Sequence, residues 1–471
     1  MNIYQRKSIF RKRDESSIYR MFFLVVLILI GVWLIRSVQQ GDVKPLFLPT
    51  PTPTRYATSY TLEGDAHFTA GQLNAAITAY NEATRVDPNN AEVWAQLSRV
   101  QTYSTALLIR REDILVRLDE AIASAEKAIE INPDSSYAHA VYAFALNWKA
   151  SYTSAGREQQ DLLNKSQLSA TRALQLDNSN TLALAFYAEV LVDQQQWTQA
   201  LNQIQQALAQ DSSLMDVHRV HAYVLESLGE YALAIEAYDR AIAISPNLTF
   251  LYLRAGAGYR RLAFESPNEE VQKSLFEKSL EYFAQAARIN EQLGVQDPGP
   301  YLSIARTYSQ MGEFFIAIRN VQKTIEFQPE NAVFYGELGM LYHKNRNYET
   351  GILAFKCAIK GCNEEESCDG RGGCGPSDRP SVVEPVSLSA ATVYYFDVYA
   401  SELAALSTPR NNKCPEALEI ARIVETSEYI SDPNIAADMV VVRTICSSLE
   451  ESLNATPTPQ PTGTVESTPT P

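Results

Sequence analysis

Residues 222–246 read AYVLESLGEYALAIEAYDRAIAISP, and the order of small, aromatic and proline residues in this stretch decides the fold. Ala222 and Ala234 are small where two antiparallel helices would cross, Tyr238 stands one helical turn after the second small site, Ala241 follows, and Pro246 closes the unit. Helices approach closely only where a side chain is small, and an aromatic four residues further on fills the space beside the contact. Proline lacks a backbone N–H and stops the second helix. The same order appears in Gly64, Ala76, Tyr80, Ala83 and Pro88, and again in Gly339, Gly351, Phe355 and Ala358. Ala188, Gly256 and Ala305 supply the first small site of other units. Pro133 and Pro329 close two more, and Asn178, Ser212 and Glu291 take the place of proline in the rest. From one closing position to the next the spacings are 45, 45, 34, 34, 45 and 38 residues.

The pattern resembles the 34-residue tetratricopeptide (TPR) consensus, and the resemblance covers about 300 residues. It implies an all-α, right-handed solenoid of about eight TPR-like helical hairpins over residues 57–360. One hairpin cannot bury its own apolar face, so stacking supplies the core. Trp94, Tyr187, Tyr238, Tyr252, Tyr301 and Tyr335 are expected in that core. Three spacings exceed 34 by 11 residues and one by 4. Eleven residues turn a helix by about 1,100°, only ~20° beyond three full turns, so they lengthen it without rotating its apolar face. The segments near 102–112, 150–160 and 261–271 are therefore expected as helix extensions or long links. Residues 104–118 look helical and 151–160 look like a loop.

In TPR proteins the first helices of the hairpins line a concave surface that meets the ligand. Carried over by register, this points to Asp65, Arg99, Phe144, Trp148, Glu189, Arg219, Tyr223, Glu226, Arg260, Arg306, His343 and Lys344. Arg219, Arg260, Arg306 and Lys344 recur about one unit apart. Such a ladder clamps carboxylates or another anionic partner. Set against it is a plain solvated surface in which these cations pair with neighbours such as Glu226 and Glu337.

Charge is divided unevenly along the chain. The formal net charge is −15, yet residues 1–20 hold six basic residues (Arg6, Lys7, Arg11, Lys12, Arg13, Arg20) and two acidic ones. With Arg36 also basic, everything from residue 37 onward carries −20. An acidic body with no basic stripe speaks against nucleic acid, whose phosphates supply most of such affinity. Residues 21–35 (MFFLVVLILIGVWLI) are apolar without a break and span roughly 22 Å as a helix, short of the ~30 Å hydrocarbon core. Ile18, Tyr19 and Val38 extend the usable length, and Arg20 and Arg36 can snorkel. Residues 21–36 are read as an uncleaved transmembrane anchor; a cleaved signal peptide is the rival, and no small-x-small site follows Arg36. The positive-inside rule keeps residues 1–20 cytoplasmic and places the rest outside a cell membrane crossed once. A Thr/Pro-rich spacer (37–56) and a similar tail (453–471) flank the body, the spacer extended and the tail disordered.

All six cysteines lie at or beyond residue 357. Cys357, Cys362, Cys368 and Cys374 belong to a Cys/Gly-rich segment at 361–387 and its approach, and an even count outside the membrane suggests disulfides among themselves. Four cysteines allow three pairings, and all three stand open. Residues 388–406, 415–430 and 433–449 show helical periodicity within a C-terminal helical cap at 388–452. If the last two are antiparallel, Cys414 faces Cys446, a disulfide that staples the cap. His218 and His221 share a helical face without an acidic or cysteine ligand beside them, so no metal and no cofactor is expected. No catalytic motif is present. The leading expectation is a non-enzymatic, membrane-anchored extracytoplasmic scaffold that binds a protein or peptide. The alternatives are a redox or metal protein built on the Cys-rich loop, or a glycan-binding envelope component using Phe144 and Trp148.

Overall fold

The computed structural model describes residues 17–39, 55–108, 110–376 and 378–454. Most of the basic segment, of the Thr/Pro spacer and of the tail lies outside the described residues. Two units divide the chain at residue 56. In the first, α1 runs Ile18–Gln39. Mean hydropathy over 18–37 is 2.6, and among the described residues this is the one helix long and apolar enough to cross a membrane. Its 22 residues rise about 33 Å, enough for the hydrocarbon core, because the helix takes in Ile18, Tyr19 and the residues after Arg36. A signal sequence meets the same criteria.

The second unit opens with eight helical hairpins. They are α2 (Ala57–Thr69) with α3 (Leu73–Val86), α4 (Ala91–Ser104) with α5 (Arg111–Ile131), α6 (Ser136–Tyr152) with α7 (Arg157–Leu176), and α8 (Thr181–Asp193) with α9 (Trp197–Gln210). Then come α10 (Met215–Ser227) with α11 (Tyr231–Ile244), α12 (Thr249–Glu265) with α13 (Glu269–Leu293), α14 (Gly299–Gln310) with α15 (Phe314–Phe327), and α16 (Ala332–Lys344) with α17 (Tyr348–Ile359). The small-residue rule operates in the first hairpin as the sequence suggests. A Cβ placed on Gly64 would lie 2.8 Å from the Tyr80 ring. Just after the closing positions, Asn90, Ser135 and Asn180 cap the next helix by accepting from the backbone N–H of Val93, Ala138 and Ala183. Each such cap contributes about 1 kcal/mol.

The added 11-residue segments lengthen helices. α8 to α11 have 13 or 14 residues each, whereas α5, α7 and α13 reach 21, 20 and 25. The two local readings need correction. Residues 151–160 are mostly helical, with a break only at 153–156. Helix does not run through 104–118: α4 stops at Ser104, a single 3-10 turn covers Thr105–Leu107, and α5 begins at Arg111. The break lets Ala106 and Leu107 pack against the core.

Buried apolar residues form two large cores. One runs from Leu73 to Ala255 and the other from Leu302 to Cys446. In the first, the array curls so tightly that non-neighbouring hairpins touch. Tyr103 of α4 stacks on Phe250 of α12 with centroids 5.4 Å apart and planes 11° from parallel. The turn of the first hairpin meets the turn before α12: a Cβ on Gly71, at φ +78°, would lie 2.2 Å from the Asn247 carbonyl oxygen.

Hairpin packing continues past residue 360. After a short α18 (Glu364–Gly370), α19 (Val393–Ala405) packs on α16 and α17, and α20 (Cys414–Glu425) pairs with α19. The final helix α21 (Pro433–Asn454) lies against both α19 and α20. So α19 and α20 form a ninth hairpin, with α21 where the first helix of a tenth would sit. Fully buried Ala400, Ala417 and Ala421 permit the close approach.

Candidate functional site

The expected groove residues separate into two groups. The first lies where the array closes on itself. Asp216, in the first turn of α10, accepts from Arg99 Nε at 3.0 Å and from the Tyr103 hydroxyl at 2.5 Å. Arg219 Nε donates to that same hydroxyl at 3.1 Å, and its two terminal nitrogens bind Glu189 at 2.9 and 2.6 Å. Trp148 Nε1 donates to Glu189 Oε1 at 2.9 Å. Burial alone would raise Asp216; the Arg99 guanidinium and hydrogen bonds from Arg99 and Tyr103 outweigh it and hold the carboxyl below its ordinary range. The network ties α4, α6, α8 and α10 together across the axis of the curl.

This corrects the groove reading at Phe144 and shows Arg99 and Arg219 already paired, Arg219 on the wall of a cleft. Phe144 is 1% exposed and stacks on Phe186 at 4.4 Å, so it is core. Arg99 and Arg219 are held by buried carboxylates, and their guanidinium groups lie over Phe68 and Phe144. Arg219 therefore drops out of the basic ladder, and the aromatic platform proposed for glycans loses one of its two rings. Trp148 and Tyr223 do line a cleft of about 450 Å³, together with Tyr152, Glu189, Asp193 and Arg254.

The second group lies between α12, α14 and α16. Arg260, Arg306 and Lys344 converge on one cleft of about 360 Å³, shared with Ser309, Gln310 and Phe264. Glu337 is its one carboxylate, and Arg306 donates to it at 2.5 Å. Lys344 Nζ donates to Ser309 Oγ at 3.1 Å. Arg260 reaches only the Ser303 carbonyl, at 3.4 Å, and rests over the Phe283 ring. Burial, and then the nearby Arg306 charge, lower the Arg260 pKa. Three cations facing one anion leave this cleft positive. His343 faces elsewhere, with Nδ1 2.9 Å from Glu402.

The cysteines join as Cys357–Cys362, Cys368–Cys374 and Cys414–Cys446. The Cys-rich segment docks on the array: Cys362 and Val383 exchange backbone hydrogen bonds, and buried Arg371 donates to the carbonyls of Ser367 and Arg379. Among the described residues no group of three or more His, Cys, Asp or Glu is placed to hold a metal.

Comparison with known proteins bears on the repeats directly. A TPR repeat model matches residues 64–99, and tetratricopeptide repeat models match 115–135 and 188–249. The chain carries tetratricopeptide repeats. TPR arrays are protein-interaction scaffolds and are typically not catalytic. Anaphase-promoting complex subunit 3 of Schizosaccharomyces pombe is 26% identical over 131 residues, 28% of this chain. The match spans only 17% of that subunit's length. Among solved structures, human IFIT1 bound to PPP-AAAA superposes with a TM-score of 0.52 at 15% identity, over 85% of this chain and 92% of that one. An IFIT1 monomeric mutant with m7Gppp-AAAA gives 0.52 at 14% identity, over 83% and 80%. At such identities the likeness concerns the TPR fold alone.

Asp193, Tyr152 and Arg254 of the Trp148 cleft, and Asp216 and Tyr103 of the buried network beside it, escaped sequence reasoning. Asp216 falls in the first turn of its helix, where an acidic residue ordinarily reads as a dipole partner. Asp193 ends α8, one turn after Glu189. The i, i+4 spacing of Glu189 and Asp193 was the available signal, since it puts both carboxylates on one helical face.

Proposed function

We propose that this protein is a membrane-anchored scaffold with an extracytoplasmic body, and that the cleft between α12, α14 and α16 holds an acidic segment of a protein partner. The observation that carries the reading is the convergence of Arg260, Arg306 and Lys344 around a single carboxylate, Glu337. Guanidinium groups pair with carboxylates through charge-assisted hydrogen bonds, and Arg260 has no acidic partner of its own. The strongly acidic body repels acidic chains elsewhere, which favours this cleft as the place where one settles. The apolar α1 supports the anchor, and the basic residues before it support the orientation.

The test is fluorescence anisotropy of a labelled Glu-rich hexapeptide against the full-length chain in a neutral detergent. The expected result is saturable binding that weakens with salt and falls at least tenfold in Arg260→Glu/Arg306→Glu. Equal affinity of that variant, with an unchanged circular dichroism spectrum, would end the reading.

A further inference from the structure

The cleft bordered by α6, α8, α10 and α12 has the opposite chemistry. Both of its cations already have anions. Arg219 is bound by Glu189, and Arg254 donates to Glu226 at 2.7 Å and to the Tyr238 hydroxyl at 3.2 Å. Among the described residues no cation pairs with Asp193. Its oxygens accept from the Tyr223 hydroxyl and the Asn147 amide, each at 2.5 Å, and both donors are neutral. Burial and the nearby Glu189 charge, opposed by those hydrogen bonds, push Asp193 up to about 6. A carboxyl group met only by neutral donors therefore faces the cleft. Helices α6 and α8 end at Tyr152 and Asp193, which adds the negative ends of two helix dipoles. The aromatic part of the remaining wall is Trp148, Tyr152, Tyr223 and Phe250, beside Ala106, Ser151 and Leu253; Arg219 lies over the Trp148 ring at 5.9 Å and Arg254 over Tyr223 at 5.8 Å. Ring faces attract cations, and they accept hydrocarbon equally well.

We propose that this cleft binds a small organic cation, a primary or substituted ammonium, with its charge against Asp193 and its carbon skeleton among Trp148, Tyr152 and Tyr223. A volume of about 450 Å³ suits a ligand of this kind. The site is independent of the acidic-segment cleft, being opposite in sign and drawn mostly from other helices. The ammonium belongs either to a free amine or to a lysine side chain of a bound partner, and the chemistry at Asp193 is the same for both.

The full-length chain in neutral detergent is titrated by calorimetry with phenethylamine and, in parallel, with phenethyl alcohol, its neutral counterpart. The amine is expected to bind saturably and at least tenfold more tightly than the alcohol. Asp193→Asn, close to isosteric, should abolish most of that preference while the thermal unfolding profile stays cooperative. Nα-acetyl-lysine methylamide binding more tightly than phenethylamine assigns the ammonium to a partner's side chain; the reverse order assigns it to a free amine. Absence of amine binding, or equal binding of amine and alcohol, overturns the proposal on the unmodified chain. An unchanged amine affinity in a folded Asp193→Asn variant overturns it as well.

Discussion

Around Tyr103 the first helices of the hairpins meet across the curl, and Arg99, Asp216, Arg219 and Glu189 form a buried network there. Around Arg306 the equivalent helices stay apart, and Arg260, Arg306 and Lys344 face an open cleft. Both regions place arginines on the first helices of their hairpins. What differs is whether a hairpin three units away reaches them. When it does, an inner-face arginine loses water and must find a carboxylate, because an unpaired buried charge is too costly to keep. When it does not, the arginine keeps part of its hydration and remains available to a ligand.

The difference between the halves can be broken at its ion pairs first. Asp216→Ala strands Arg99 and Tyr103 in the closed half and should cost about 3–5 kcal/mol. Glu337→Ala releases a half-exposed Arg306 in the open half and should cost less than about 1 kcal/mol. Urea midpoints of the two variants measure both, and equal shifts would show that the two regions do not differ as described. A smaller effect is expected at two turn glycines. Gly71 and Gly312 occupy the same turn position at φ +78° and +79°, but a Cβ on Gly312 meets nothing within 4 Å. Gly312→Ala should cost about 1 kcal/mol, the strain of its backbone alone, and Gly71→Ala at least about 1 kcal/mol more, through the Asn247 carbonyl. Thermal melts of the pair would settle whether the curl is closed at that contact.

The smallest effect expected is on pH dependence. Burial, then the neighbouring Asp438 and Asp432 carboxylates, pushes Asp397 of α19 up to about 7. Its folded carboxyl holds a proton more tightly than the unfolded chain does. Stability is therefore gained as pH falls through 7, and the gain is complete near the unfolded value of about 4. Asp193 and Asp297, each raised to about 6 by burial, act in the same direction. His221, lowered to about 4 mainly by burial, opposes them, since its contribution is lost as pH falls from about 6.5 toward 4. The melting temperature should rise by a few degrees from pH 8 to pH 6, and Asp397→Asn should remove part of that rise. A wild-type melting temperature that drops over the same interval would contradict the assignment.

The repeat was legible because its rules are local. Ala222, Ala234, Tyr238 and Pro246 act within one hairpin, so spacing alone identifies them. The lengthening of α5, α7 and α13 was legible for the same reason, since the added residue counts are read directly from the spacings. The break at Thr105–Leu107 was not legible, because Ala106 and Leu107 leave the helix to pack against core assembled from other hairpins. Nor was the ninth hairpin: the link between α19 and α20 is long, which hides the spacing of its small residues.

Half of the candidate site followed the same division. Arg260, Arg306, Lys344, Trp148, Tyr223 and Arg219 line clefts, Arg219 and the half-buried Arg99 being held by carboxylates, while Phe144 went into the interior. The sequence by itself determined most of the helices, the pairing of the first eight hairpins, the apolar segment at 21–35 and the sign of charge along the chain, all set by neighbours in sequence. Tertiary structure alone decided how tightly the array curls and which cysteines meet within 357–374. It also decided which arginines are paired and that Asp193 meets only neutral donors at its cleft. Those outcomes depend on contacts between residues far apart in sequence, such as Tyr103 with Phe250 and Gly71 with Asn247, and no local pattern encodes the small rotations between hairpins that bring such residues together.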